Sequence, residues 1–313
     1  MDTPARATFG IGWTAKTVYQ PTRAHFTMPM SPRLLRPRAS GVHPEAAVWQ
    51  NAVIANSGTV SGSTLSAVSK FCYAIDAAGI RDRFYRLNLF CGGNLNACLV
   101  PLYRGQSRTG TQYGNATDTN NNFVSGDYVE TGSTGGLLGN GASKYLATGF
   151  PPNALTLGST HLSAYAVTAN AAASFATALG SFAGGGSSEL ALYFNQSTIN
   201  TAAYYTENNG AGGFVLSAAN NPTGHILGTA TSTTDRRCFI NGSQSGSTAT
   251  ATSTIALDAR GLFVFARNAA NATFFYSSPR LGAYSIGAGL SVSQASAFYT
   301  AMQTFQTALT RNV

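Results

Sequence analysis

What this chain has least of is charge: Asp, Glu, Lys and Arg together make up 10% of its 313 residues. A folded chain so poor in charge stays in solution through hydroxyls and amides, or by packing into a larger assembly. Long apolar runs are missing as well. No segment approaches the roughly eighteen consecutive apolar residues of a membrane-spanning helix, and Met1–Met30 has no apolar core of the length a secretory leader requires. Cysteine is sparse, its four instances being Cys72, Cys91, Cys98 and Cys238. None stands in C-x-x-C spacing and three lie inside apolar runs, which predicts buried free thiols and synthesis in a reducing cytoplasm. His25, His43, His161 and His225 are too scattered for a metal or base signature, and no G-x-S-x-G elbow is present to carry a serine nucleophile.

The charge that is there is unevenly placed. The first 110 residues carry twelve Arg or Lys against four Asp or Glu, and the remaining 203 carry seven against seven, so the net charge of +8 belongs to the front third. Sixteen of the nineteen cations are arginine, the residue suited to two-pronged contact with carboxylate or phosphate. They are scattered among prolines and aromatics instead of forming a dense run. That favours docking on an acidic protein surface over nucleic acid.

Residues 1–41 read as an extended basic arm. Pro4, Pro21, Pro29, Pro32 and Pro37 forbid a stable helix, because proline restricts both itself and its predecessor. Trp13, Phe26, Leu34 and Leu35 supply apolar anchors, and Arg33, Arg36 and Arg38 supply charge-assisted contacts to acidic neighbours. A helical pair over 42–84 follows. Pro44 opens the first helix, with Val48, Trp49, Ala52 and Val53 as its apolar stripe, ending at Asn56-Ser-Gly58. Ser63 is placed to cap the second, Leu65, Val68, Cys72 and Ile75 recur at helical spacing, and Gly79 stops it.

From residue 85 the periodicity changes to that of strands. Tyr85–Cys91 alternates, and further candidates are His161–Val167, Glu189–Asn195, Thr201–Thr206, Gly213–Ser217, His225–Thr229, Arg237–Asn241, Leu262–Arg267, Thr273–Tyr276 and Arg280–Ile286. Gly/Asn/Ser turns separate most of them, so residues 85–313 read as one antiparallel sandwich. Residues 103–144 form a long polar excursion, expected either to pack against a neighbouring subunit or to form an interaction surface. The chain closes on a helix: Ser291 with Gln294 makes a capping box, and Ala295, Phe298, Tyr299, Met302, Phe305 and Leu309 make its apolar face. Arg311 then stands favourably near its C-terminus. The fold class is mainly β (α+β): a jelly-roll sandwich with a C-terminal helix, preceded by a short helical pair and an extended arm.

The order of several short motifs resembles a laminin-G-like, concanavalin A-like lectin/glucanase sandwich. They are Tyr145-Leu-Ala-Thr-Gly-Phe150, the hairpin Arg237-Cys-Phe-Ile-Asn-Gly242, and Arg280-Leu-Gly-Ala-Tyr-Ser-Ile-Gly287 before a terminal helix. The block from Ala78 to Phe90 and on through Leu99-Val-Pro-Leu-Tyr-Arg-Gly105 resembles segments of tailed-bacteriophage proteins that precede such a sandwich. That resemblance implies a non-enzymatic virion component made in the host cytoplasm. The arm would be mounted on other virion proteins of the capsid or tail, and the sandwich would face outward, as capsid decoration or as a tail or fibre host-binding part, with a trimer as the expected self-association. A free-standing carbohydrate-binding module is the alternative, and a glycan hydrolase a third.

The residues weigh against hydrolysis and against metal. Glucanases of the concanavalin type carry Glu-x-Asp-x-Glu on one strand, and Asp127-Tyr-Val-Glu130 is the nearest approach, at the wrong spacing. Asp118-Thr-Asn-Asn-Asn122 offers oxygens at alternate positions as calcium loops do, but Phe123 stands where the turn glycine belongs. No catalytic residue, cofactor or metal ligand is therefore assigned. For a host-surface glycan, Tyr204, Tyr205, Glu207, Asn208 and Asn209 combine an aromatic platform with hydrogen-bonding groups at a strand end and turn.

Overall fold

The computed structural model describes residues 41–171, 175–184, 188–195, 202–207, 214–246, 252, 254–270 and 272–313. Val42–Val313 forms one compact unit. The arm residues Trp13, Phe26, Arg33, Leu34, Leu35, Arg36 and Arg38 lie outside the described residues.

Two sheets face one another, as the turn-punctuated strands predict. The first contains β1 (Phe84–Asn88), β3 (Tyr128–Val129), β4 (Gly136–Leu138), β6 (Thr160–Ala166), β11 (Gly224–Ser232), β12 (Asp235–Ile240), β13 (Ser243–Gln244) and β17 (Arg280–Gly287). Its order is β13-β12-β11-β6-β17-β4-β3, with β1 also paired to β17. The second contains β2 (Thr119–Asn121), β5 (Tyr145–Ala147), β7 (Ala176–Phe182), β8 (Glu189–Asn195), β9 (Ala202–Glu207), β10 (Phe214–Asn220), β14 (Phe263–Val264), β15 (Arg267–Ala269) and β16 (Ala272–Phe274). Its order is β10-β9-β8-β7-β14-β5-β2. Pairing is antiparallel except where β15 runs alongside β7 in parallel. The hairpin expected at Asn241-Gly242 forms, both residues taking the positive φ (49° and 78°) that a tight two-residue turn between twisted strands requires.

The helices are α1 (Pro44–Ala55), α2 (Gly62–Ala77), the short α3 (Leu95–Cys98) and α4 (Val292–Ala308). Pro44 occupies the first turn of α1, where a missing N–H costs nothing, and the His43 side chain caps it. The cap of α2 is Ser61, two residues before the expected Ser63, its hydroxyl accepting from the Thr64 amide at 3.1 Å. Gly79 ends that helix with φ +64°. In α4 the expected capping box of Ser291 and Gln294 is formed on both sides.

Three layers result. Between the sheets lies one apolar core, including Leu162, Ile226 and Ile286 from the first sheet and Leu179, Leu192 and Phe194 from the second. On the other side of the first sheet, Tyr165, Leu227, Phe239 and Ala283 meet Trp49, Phe71, Phe298 and Phe305 of the helices in a second core. The helical pair therefore shares its apolar packing with the sandwich it precedes.

The polar excursion over 103–144 is built into the sandwich. It supplies β2, β3 and β4 to the chain's own sheets, and Asp118 within it is fully buried. Asp118 thus belongs to an internal network and not to a calcium-type loop: Arg86 Nη2 donates to it at 2.6 Å, Asn88 Nδ2 at 2.8 Å and the Tyr284 hydroxyl at 2.7 Å. Arg311 stands just past the C-terminus of α4, as expected. It is completely buried there and donates to Gln306 and to three backbone carbonyls. The four cysteines are buried and free, as their setting predicts. Burial pushes the Cys72 and Cys238 thiols up to about 12, which leaves them unreactive at neutral pH.

Two buried imidazoles lie close to Phe298 of α4. His161 gives Nδ1–H to the Ala288 carbonyl at 2.7 Å and accepts from Ser285 at Nε2, whereas neither ring nitrogen of His225 has a partner. Burial lowers His161 to about 4 and His225 to about 3. Both are neutral in the folded chain and take up a proton on unfolding, at an ordinary pKa near 6.5. Their contribution is therefore complete above about pH 7 and is lost as pH falls through about 6.5 towards those folded values. We expect urea unfolding to report about 3–4 kcal/mol less stability at about pH 5 than at about pH 7. A flat profile across that interval would show that these rings are solvated.

Candidate functional site

The outer face of the second sheet lies opposite the helix-covered side of the fold, and it carries the densest convergence of polar and aromatic groups. Strand periodicity puts Glu189, Ala191 and Tyr193 of β8 on one face, where Ala191 and Tyr193 pack with Phe275 apart from both main cores. Arg267 reaches this face from β15. Its Nη1 donates to Glu189 Oε1 at 2.9 Å and to the Tyr193 hydroxyl at 3.0 Å, and that hydroxyl donates to Glu189 at 2.5 Å. Burial works against the Arg267 charge, but Tyr193 and Glu189 outweigh it and hold the guanidinium above its ordinary range.

Aromatic rings bracket this triad. The guanidinium carbon lies 4.7 Å from the centre of Phe182 and 4.3 Å from that of Phe275, both cation–π distances. Phe175 stacks on Phe275 at 4.7 Å, and Phe274 beside them is 48% exposed. The backbone here is held in conformations bulky residues avoid: φ is +46° at Phe175, +67° at Phe265 and +56° at Phe275. Hydrogen bonds from Thr177 N to Phe275 O, Phe265 N to Ala178 O and Ser277 N to Phe265 O hold the segment in that shape. Strain of this kind, about 1–3 kcal/mol per residue, persists where surrounding structure over-determines it and concentrates at binding sites. Arg267 Nε and Thr177 Oγ1 are also buried on this side without hydrogen-bond partners.

Gly180 makes the convergence possible. It pairs with Arg267 across the parallel ladder, and a Cβ there would come within 3.0 Å of Ala191 Cβ and 3.3 Å of Arg267 Cγ. The arginine stem crosses β7 at this point to reach β8. In the resulting arrangement the Tyr193 hydroxyl and the Glu189 carboxylate are both buried and both engaged with Arg267. They anchor Arg267, and what the face presents outward here is the partly exposed aromatic surface of Phe175, Phe182, Phe274 and Phe275.

The residues proposed from sequence are differently disposed. Tyr205 and Glu207 point between the sheets and are fully buried. The Tyr205 hydroxyl meets Thr160 Oγ1, and Glu207 accepts from Gly158 N at 3.0 Å and from Thr160 at 2.9 Å, with Arg236 Nε 3.7 Å away. Neither is available as an exposed glycan platform, which corrects that expectation for these two residues. Tyr204 stands opposite Tyr193 in the ladder between β8 and β9, while Asn208 and Asn209 lie outside the described residues. Asp127 pairs with Lys144, and Glu130 accepts from Thr64 at 2.6 Å and from the Gly92 amide at 2.8 Å. The alternation Glu189-x-Ala-x-Tyr193 was readable in the sequence. Its meeting with Arg267, 74 positions beyond Tyr193, was not.

No protein-family model matches the chain, and no curated protein does. Solved structures resemble it distantly. A point mutant of HCR/D is 11% identical at a TM-score of 0.46, over 70% of this chain and 52% of that one. Domain 4 of the extracellular arabinanase AbnA from Geobacillus stearothermophilus, solved with arabinotriose, is 13% identical at 0.37, over 51% of this chain and 74% of that one. The CBM40 of the Ruminococcus gnavus IT-sialidase, bound to α2,3-sialyllactose, is 11% identical at 0.32, over 42% and 77% of the respective chains. At these levels the likeness transfers neither ligand nor activity.

Proposed function

We propose that this chain is a non-enzymatic attachment protein of a tailed-phage particle, mounted through the basic arm 1–41 and binding a host-surface glycan on the outer face of its second sheet. The observation that carries the glycan reading is the group of partly exposed rings, Phe175, Phe182, Phe274 and Phe275, gathered around an Arg267 that its buried partners Glu189 and Tyr193 hold in place. A sugar ring lays its apolar C–H face on aromatic carbon, which is the chemistry such a platform matches. The particle assignment rests on sequence: the front-loaded positive charge and the phage-like block from Ala78 to Gly105. Self-association as a trimer belongs to the same proposal.

The non-enzymatic part is supported by where the acids go. Of eleven Asp and Glu, all but Asp2 lie in the described residues. Each of these is engaged with a cation, a hydroxyl or a backbone amide, as Glu45 is with Arg81, Asp76 with His43 and Asp258 with Arg260. A general acid–base pair needs carboxylates left to titrate against substrate.

The test is binding of the purified chain to a panel of bacterial surface polysaccharides, with Phe274→Ala as the probe variant because Phe274 is exposed and its removal leaves the triad intact. Affinity should fall about fivefold, the worth of one aromatic contact. Equal binding by the two proteins would remove the glycan from this face. Mass spectrometry of gradient-purified particles tests the mounting separately, and absence of the chain from particles would leave a free carbohydrate-binding module.

A further inference from the structure

The aromatic surface of the second sheet does not end at Arg267. Tyr145 of β5 and Phe263 of β14 are diagonal neighbours across their ladder, since Phe263 pairs with Ala147 and Val264 with Leu146. Leu146 and Val264 belong to the core between the sheets, so strand alternation turns Tyr145 and Phe263 outward. Their ring centres lie 4.6 Å apart, and Tyr276 meets Tyr145 edge-on at 6.3 Å. All three rings are partly exposed. Tyr276 directly follows Phe274 and Phe275, so one short segment carries rings of both groups. Gly180 pairs with Phe263 as well as with Arg267, which brings the two groups to the same point of β7.

A polar margin borders the new group. Thr119 and Asn121 of β2 pair with Ala147 and Tyr145, and cross-strand partners share a face of the sheet. Asn115 Nδ2 donates to Thr119 Oγ1 at 3.0 Å and to the Ala147 carbonyl at 3.2 Å, which ties this margin to β5. Charge is balanced alongside. Lys144, Arg260 and Arg267, which flank Tyr145 and Phe263 in the chain, are paired with Asp127, Asp258 and Glu189. An acidic ligand gains little from cations already engaged, whereas an uncharged one loses nothing. The strands β2, β5, β14 and β7 are consecutive in the sheet, and three strand spacings carry the surface over about 14 Å. A single sugar ring does not reach across it.

We infer that Tyr145, Phe263 and Tyr276, with Thr119 and Asn121 at their margin, form a second sugar-binding subsite. The ligand is then an uncharged linear polysaccharide laid across the strands, from this subsite to the Phe274–Phe275 group. The inference rests on the glycan reading of the same face. Each group of rings takes the C–H face of a separate sugar residue, while the amide and hydroxyl of the margin meet sugar hydroxyls. A chain outbinds a short fragment because its second contact is intramolecular once the first is made.

The experiment screens the purified full chain against neutral polysaccharides (dextran, xylan, mannan and β-glucan) and acidic ones (polygalacturonate and hyaluronan). Two-sugar and six-sugar fragments of the neutral polymer that binds are then titrated. We expect neutral binding that is insensitive to salt, with the six-sugar fragment about tenfold tighter than the two-sugar one. Tyr145→Ala should weaken the six-sugar fragment about fivefold and narrow that gap. Binding to the acidic polymers alone overturns the uncharged class. Equal affinity for the two fragments overturns the second subsite. So does a six-sugar affinity that Phe274→Ala lowers and Tyr145→Ala leaves untouched, and the glycan reading itself then stands. Loss with neither variant, or no binding to any polymer, overturns both. Should Tyr145→Ala fail to fold, Asn121→Ala carries the test, with a loss of about twofold to threefold expected and no loss overturning the subsite.

Discussion

Arg86→Met is expected to destabilise the fold by about 3–5 kcal/mol, enough to leave many domains of this size substantially unfolded at body temperature. Arg86 and Asp118 both have side chains at 0% exposure. The guanidinium uses every arm: Nη2 and Nε on Asp118, Nε on the Tyr284 hydroxyl at 2.8 Å, and Nη1 on the carbonyls of Tyr113 and Asn115 at 3.1 and 3.0 Å. Removing it strands a buried carboxylate and two carbonyls at once. The carboxylate dominates, because an uncompensated charge in the interior costs more than a lost neutral hydrogen bond. Urea denaturation measures the effect. Adding Asp118→Leu to Arg86→Met should recover part of the loss, since the charge to be stranded is then gone. A double variant no more stable than the single one would mean that the surrounding amides and hydroxyls, and not the charge, set the cost.

Arg311→Met comes next, at about 3–4 kcal/mol, for a different physical reason. Arg311 makes no direct ion pair; it donates to Phe90 O at 2.8 Å, Leu89 O at 3.1 Å, Gly282 O at 3.2 Å and Gln306 Oε1 at 2.8 Å. Burial lowers its pKa from the ordinary arginine value. Methionine fills much of the volume but takes a donor from four buried acceptors, of which Gly282 O keeps Gln306 Nε2 at 3.3 Å and Phe90 O keeps the Tyr128 hydroxyl at 3.4 Å. Arg311→Lys should restore little, because a single ammonium cannot present the planar fork that four spread acceptors require. Thermal unfolding of the three proteins checks the ranking. If the lysine variant equals the original, charge alone is what the site needs.

Much of the fold was legible in the sequence, for identifiable reasons. Glu189–Asn195 was found at its true limits because leucine, tyrosine and phenylalanine mark a strand wherever it is buried. The capping box of the terminal helix is a local signature, and it formed. The strand Ala176–Phe182 was not seen at all. Its Ala-Thr-Ala-Leu-Gly-Ser-Phe sequence has no strand propensity, yet it is central in the second sheet. Small residues are needed there because the Arg267 stem passes over Gly180. Tertiary crowding chose them, and local propensity has no access to that choice. The excursion over 103–144 was legible as polar and not as folded, since its short strands are held by distant partners such as Tyr145–Ala147 and Arg280–Leu281.

The glycan residues illustrate the same limit from the other side. Tyr205 and Glu207 have the right chemistry for a sugar, but strand alternation alone does not say which face is inward. A one-residue change of register exchanges the two faces, and here Tyr205 and Glu207 fell inside. The triad was hidden for another reason. It depends on a parallel pairing of Arg267–Ala269 with Gly180–Phe182, across a separation that no local pattern records.

The pairing of β1 with β17 and the grip of Arg311 on Leu89 and Phe90 join segments about two hundred positions apart. During translation, β1 therefore leaves the ribosome long before the strand and the arginine that complete it. Until residue 311 emerges, the nascent chain carries an open first sheet with buried-type carbonyls facing water. Closure of that sheet is a late event with a large loop to close, slow by the general relation between contact separation and folding rate. The cell's holding chaperones would meet this protein as an unpaired sheet edge, and its yield would depend on how long that edge waits.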